Sequence, residues 1–170
     1  MPETETIHRE QALEQLRQHG IDGAEVYLID IIPLIEMTWA DGVVQIDEIL
    51  VLDEYIRNHV AHLNRLAGYE LLTLDAAYAF LRRFLEYRPD PDLLRTLREL
   101  IPSVRLSTSD SEANKALRNS MLSACLDIGA STAVSYPFAV AADRWFDPEE
   151  KRCFFEILDS LEARSTPADA

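Results

Sequence analysis

Apolar residues recur at helical spacing along almost the whole chain, and no stretch alternates in the way a strand requires. Ile49, Leu52, Ile56, Val60 and Leu63 predict one buried stripe on a helix over Ile46 to Ala67, stopped by Gly68. Leu74, Ala77, Tyr78, Leu81, Phe84 and Leu85 predict another wide apolar face, opened at Thr73 or Asp75. Asp90-Pro91 and Asp147-Pro148 are helix starts, each with a capping carboxylate followed by proline in the first turn. With these come helices over Ile7 to His19, Gly23 to Trp39 (kinked or split at Pro33), Asp90 to Ile101, Ser111 to Gly129 and Glu149 to Ala163. Pro102 is expected to end the fifth helix, and Ser103 to Asp110 to connect two halves. Ala130 to Ala142, with Pro137 inside it, reads as a broken helix, and the tail from 164 to 170 as frayed. The expected fold is all-α: a compact bundle of seven to eight helices, residues 1–170 as one domain, built from two pseudo-repeated halves.

Those halves are suggested by a repeated acidic pattern. Asp41 is followed seven residues later by Glu48 in Trp39-Ala40-Asp41-Gly42-Val43-Val44-Gln45-Ile46-Asp47-Glu48. Asp143 is followed seven residues later by Glu150 in Ala141-Ala142-Asp143-Arg144-Trp145-Phe146-Asp147-Pro148-Glu149-Glu150. Beyond each glutamate a helical pattern begins, with Leu52 answering to Phe154, Tyr55 to Ile157 and Ile56 to Leu158.

Carboxylates are hard oxygen ligands, so Asp41, Asp47, Glu48, Asp143, Asp147 and Glu150 are candidate ligands for calcium, magnesium or manganese. A second reading competes. Asp147 with Glu150 fits a capping box, and Glu48 can close one with Gln45. Acidic groups near a helix start are also favoured by the macrodipole, each by about 0.3–1 kcal/mol. Asp41 is harder to explain as a cap, although an Asp-Gly turn also accounts for it. An EF-hand is excluded: counted from Asp41, the third, sixth and twelfth places are Val43, Ile46 and Leu52.

Charge narrows the partners. The chain has 16 basic against 30 acidic residues, a net −14. Such a field repels nucleic-acid phosphates and anionic lipid, and favours cations or proteins with a basic surface. Cys125 and Cys153 form no metal-binding or redox motif and read as two buried thiols in a reducing cytosol. The N-terminus lacks the basic start and apolar stretch of a signal peptide, and the most apolar run, Val26 to Ala40, is too short to span a membrane. A cytoplasmic location without membrane insertion is the expectation. His59 and His62 have zinc-ligand spacing but no further ligand nearby, and read as a solvated pair. No phosphate loop, serine elbow or cysteine–histidine couple is present in the sequence, so no catalytic residue is assigned.

The run from Ile35 to Glu48, followed by an amphipathic helix, resembles the signature of the TerB-like proteins, named for bacterial tellurite-resistance protein B. The N-terminal region of a membrane-anchored DnaJ-type co-chaperone is similar. The resemblance covers about Val26 to Leu161. In the second half Arg144 stands where the family has glycine, and an alternative alignment uses Asp127-Ile128-Gly129. The resemblance implies an all-helical fold, a link to tellurite or chemical stress, acidic positions as metal ligands and no firmly attached catalytic activity. Two expectations follow: a non-enzymatic domain with a divalent-cation-binding acidic surface, or a metal-independent interaction module whose acidic face takes a basic partner.

Overall fold

The computed structural model describes residues 2–131 and 148–162, with side chains from residue 8 onward. The described residues are helical throughout, with short connections and no strand among them. The helices are α1 (Pro2–Gln18), a 3-10 segment (Gly23–Ile31), α2 (Ile32–Trp39), α3 (Ile46–Ala67), α4 (Leu74–Leu85), α5 (Pro91–Arg105), α6 (Ser111–Ser131) and α7 (Pro148–Glu162).

The sequence from Gly23 to Trp39 divides just before Pro33. A continuous α-helix would offer the Ile29 carbonyl to position 33, where proline has no N–H to donate. The Ile32 N–H takes that carbonyl instead, in the tighter three-residue pattern, and α2 then starts with Pro33 in its first turn. Helix α2 is short and almost entirely inside. Ile32, Leu34, Ile35 and Met37 are wholly buried, and α3, α5, α6 and α7 all pack against it. An element hydrophobic all round has to sit at the centre of such a bundle.

Around it, α3 lies against α6 and α4, α5 against α1 and α7, and α6 against α7. Helix α3 has the bounds its stripe predicts. Leu52, Ile56, Val60 and Leu63 are buried, and Gly68 ends the helix at φ 78°, a conformation open to glycine without a Cβ clash. Its first turn departs from the pattern: Ile49 is exposed and Glu48 takes the inward position. On α4 the inward face includes Phe80, which the sequence reading leaves out, while Leu74 is exposed.

Helix α5 is longer than expected, running through Pro102 to Arg105. Interior proline removes the bond to the Arg98 carbonyl at a cost of about 3 kcal/mol. Burial of Ile101, Pro102 and Val104 against the core, and an ion pair made by Arg105, offset it. Local stop signals lose here to tertiary packing. The segment Ala130 to Ala142 lies, from residue 132 onward, outside the described residues, as does the tail from 163.

Caps set several starts. Thr73 Oγ1 accepts from the Ala76 N–H at 3.0 Å, and Asp90 Oδ1 from the Asp92 N–H at 2.9 Å. Thr73→Ala is expected to lower stability by about 1 kcal/mol without altering the fold, measurable by urea denaturation with an unchanged slope.

Candidate functional site

Asp41 lies in the turn between α2 and α3. The chain reverses there through Gly42, whose φ is +85° and whose N–H donates to the Trp39 carbonyl at 2.8 Å. Asp41 Oδ1 accepts from the Val43 N–H at 3.1 Å, so one carboxylate oxygen fixes the turn. The side chain is half-buried.

Seven residues on, Glu48 enters the first turn of α3 and is only 1% exposed. Its Oε1 accepts the Gln45 N–H at 2.9 Å, which is the glutamate half of a capping box. Its Oε2 is buried and has no hydrogen-bond partner among the described residues. Capping therefore explains one oxygen of this carboxylate and leaves the other unaccounted for. Burial pushes the Glu48 carboxyl up to about 8, the Gln45 N–H opposes that rise, and the carboxylates of Asp41 and Glu150 add to it.

The involvement of Glu150 joins two segments far apart in sequence. Glu150 lies in the first turn of α7, is 3% exposed, and is close enough to Glu48 to raise its pKa. Three carboxylates from two helix entrances thus share one neighbourhood: Asp41 and Glu48 from one, Glu150 from the other. Asp47 is exposed, one step of about 100° around α3 from Glu48. Asp143 and Asp147 lie outside the described residues. Asp127 is an exposed residue within α6 rather than on a loop, so it does not stand as Asp41 does. Among the described residues no group of three or more His, Cys, Asp and Glu side chains is arranged to hold a metal ion.

The surface over this site inverts normal patterning. Val43, Ile46 and Leu50 are 60%, 75% and 61% exposed, while Glu48 among them is buried. Fully buried carboxylates are rare without a partner, and exposed large apolar groups clustered in one place mark a contact surface.

Two further buried ionic groups lie elsewhere in the core; by sequence Arg98 is an isolated basic point that pairs with a neighbouring carboxylate, and Glu36 lies about one and a half turns before Asp41. Glu36 on α2 pairs with Arg98 of α5 at 2.7 Å, with both side chains under a tenth exposed. Arg98 Nε also donates to Ser160 Oγ of α7 at 3.0 Å, so one guanidinium ties three helices. Burial pushes the Glu36 carboxyl up to about 7 despite the opposing pull of Arg98. Asp30 is wholly buried and accepts from Arg105 Nε at 3.1 Å on both oxygens. Burial raises its pKa, while Arg105 and His59 pull it back.

His59 is not on a solvated face. It is 7% exposed, with Nε2 2.7 Å from the Tyr27 carbonyl and 3.4 Å from Asp30. A carbonyl only accepts, so Nε2 carries a proton. The ring stacks on Tyr55, while His62 is exposed, so the two histidines do not converge. A signal for the ionic groups exists in the sequence. Arg98 and Arg105 are one heptad apart, each directly after a core position of α5 (Leu97, Val104), which places both at the edge of the buried stripe.

Cys125 is buried and Cys153 partly so. Both are free, and burial holds both thiols above their ordinary range. No described helix is long and apolar enough to cross a membrane. Comparison with protein families, characterised proteins and solved structures finds no match to this chain.

Proposed function

We propose that this chain is a non-enzymatic, cytoplasmic TerB-like domain acting in the response to tellurite or related chemical stress. Its acidic helix entrances bind a divalent cation. One observation carries the reading: Glu48 holds a buried carboxylate oxygen with no partner among the described residues, beside the carboxylates of Asp41 and Glu150. A buried anion is costly unless a proton or a cation compensates it. A hard divalent ion supplies that compensation to oxygen ligands, and Asp143 and Asp147 precede Glu150 in the same acidic stretch of the sequence. The pseudo-repeat of the two halves rests on the same proximity, since Glu48 and Glu150 hold equivalent places in the two sequence copies.

Calorimetric titration with calcium, magnesium and manganese tests this. Heat is expected from at least one ion with the wild type, and its loss in Asp41→Ala. No heat with any of the three would overturn the cation site.

A second reading has its own support. Val43, Ile46 and Leu50 are exposed next to Asp47 on a chain of net charge −14. An amphipathic partner with a basic rim would bury the first group and pair with the second without any metal. If titration is silent, this metal-independent interaction module is the function that remains.

A further inference from the structure

Away from the acidic loops, the C-terminal half of α3 and the N-terminal half of α6 enclose a groove of about 910 Å³. Its lining is mainly hydrocarbon, from Leu63, Leu66, Leu71, Ala113, Ala116 and Leu117, with Asn58, His62, Thr108 and Ser120 interspersed. One end is polar and is built by the buried ionic group around Asp30. There Arg105 lies over the Tyr27 ring, 4.9 Å from its centroid, and directs Nε to Asp30. That bond uses one of the five guanidinium N–H groups. The two terminal nitrogens make no hydrogen bond to any described residue, and Arg105, 15% exposed, lines the groove. The Tyr55 hydroxyl is buried beneath the same end, shut off from the groove and beside Ser120 of α6.

We infer that this groove is a binding site for a small, uncharged, mainly apolar molecule bearing a carbonyl oxygen. The apolar walls between α3 and α6 take its body, and the terminal nitrogens of Arg105 donate to its oxygen. A guanidinium with donors to spare at the margin of an apolar groove is best matched by an acceptor, so the polar end selects one. Charge selects a neutral one. Asp30 already balances Arg105, and a carboxylate would enter as an uncompensated anion on a chain of net charge −14. The groove volume exceeds that of an eight-carbon ketone. None of the groups used here takes part in the acidic site, so either assignment can fail alone.

The test uses N-phenyl-1-naphthylamine, whose fluorescence rises in apolar surroundings, with 2-octanone and octanoate as competitors. Saturable binding to the wild type is expected, with 2-octanone displacing the probe at a concentration at least tenfold below octanoate. Ala116→Trp fills the groove from an exposed position, and Leu66→Asn removes apolar wall from another. Both should keep the wild-type circular dichroism and weaken the probe at least tenfold. Absence of probe binding, or binding unchanged in both variants, overturns the site. Displacement by octanoate at equal or lower concentration, or by neither competitor, overturns the neutral carbonyl ligand.

Discussion

Arg98→Ala is expected to destabilise the protein by about 3–5 kcal/mol at pH 8, the range found when one partner is removed from a buried ion pair. Arg98 and Glu36 are 4% and 9% exposed and 2.7 Å apart, so the substitution removes the ion partner of a largely desolvated carboxylate. The substitution also removes the donor to Ser160 Oγ and leaves Glu36 with only the weaker pull of Arg95, opposed by Glu156. Glu36 Oε2 already lacks a hydrogen-bond partner in the intact protein, so the carboxylate has little to fall back on.

Glu36 is raised to about 7 with Arg98 present, and without it the carboxyl must rise further. The penalty is therefore expected to shrink at pH 6, where the carboxyl of the variant protonates and the buried charge disappears. Urea denaturation at the two pH values measures the difference. Glu36→Gln combined with Arg98→Met should recover most of the loss, because two uncharged groups of similar shape avoid desolvating either ion. An Arg98→Ala variant as stable as wild type at pH 8 would show that the pair contributes nothing.

Glu48→Gln is expected to act in the opposite direction. In the folded protein the Glu48 carboxyl is raised to about 8, against an ordinary value of 4.5. Between those values the folded state holds a proton that the unfolded state has released. The contribution of Glu48 to stability is thus complete below about pH 4.5 and lost as pH rises through 8. Glutamine has the shape of the protonated acid and keeps an acceptor for the Gln45 N–H. The variant should match wild type near pH 4.5 and exceed it by about 3 kcal/mol at pH 8 in metal-free buffer, removing part of the slope in a stability–pH profile.

A bound divalent ion works against that gain. It stabilises the ionised wild type by mass action and has less to hold in the variant, so saturating calcium or manganese should narrow the gap at pH 8. Protons and cations compete for the same carboxylates, and metal affinity is expected to fall as pH is lowered from 8. A flat wild-type profile across pH 5–8 would remove the basis for a shared carboxylate site.

Glu48 also shows how far local sequence reaches. Its position at the entrance of α3 was legible, since the stripe and Gly68 mark the helix ends. Its inward orientation was not, because Ile49 beside it is the better core residue by hydropathy and is nonetheless exposed. That inversion is set by packing, since Glu48 lies four residues before Leu52 on the buried face of α3. His59 follows the same logic: three residues before His62 it reads as a solvated pair, yet it lies three residues after Ile56 and four before Leu63 on the buried stripe, where the Tyr27 carbonyl accepts its Nε2 proton. Pro102 carried a local stop signal that burial of the following turn overrides. Arg98 and Arg105 were visible at the margin of an apolar stripe, but their partners lie 62 and 75 residues away.

The sequence by itself determined the all-helical class, the bounds of α3, the capped starts of α4 and α5, and the acidic turn at Asp41. These depend on periodicity, capping side chains and glycine at positive φ, which act over a few residues. Tertiary structure decided which charges are buried and with whom, that Glu150 lies near enough to Glu48 to raise its pKa, and that a groove opens between α3 and α6. Contacts of that kind depend on how helices distant in sequence pack, and burial rather than local propensity sets their energies.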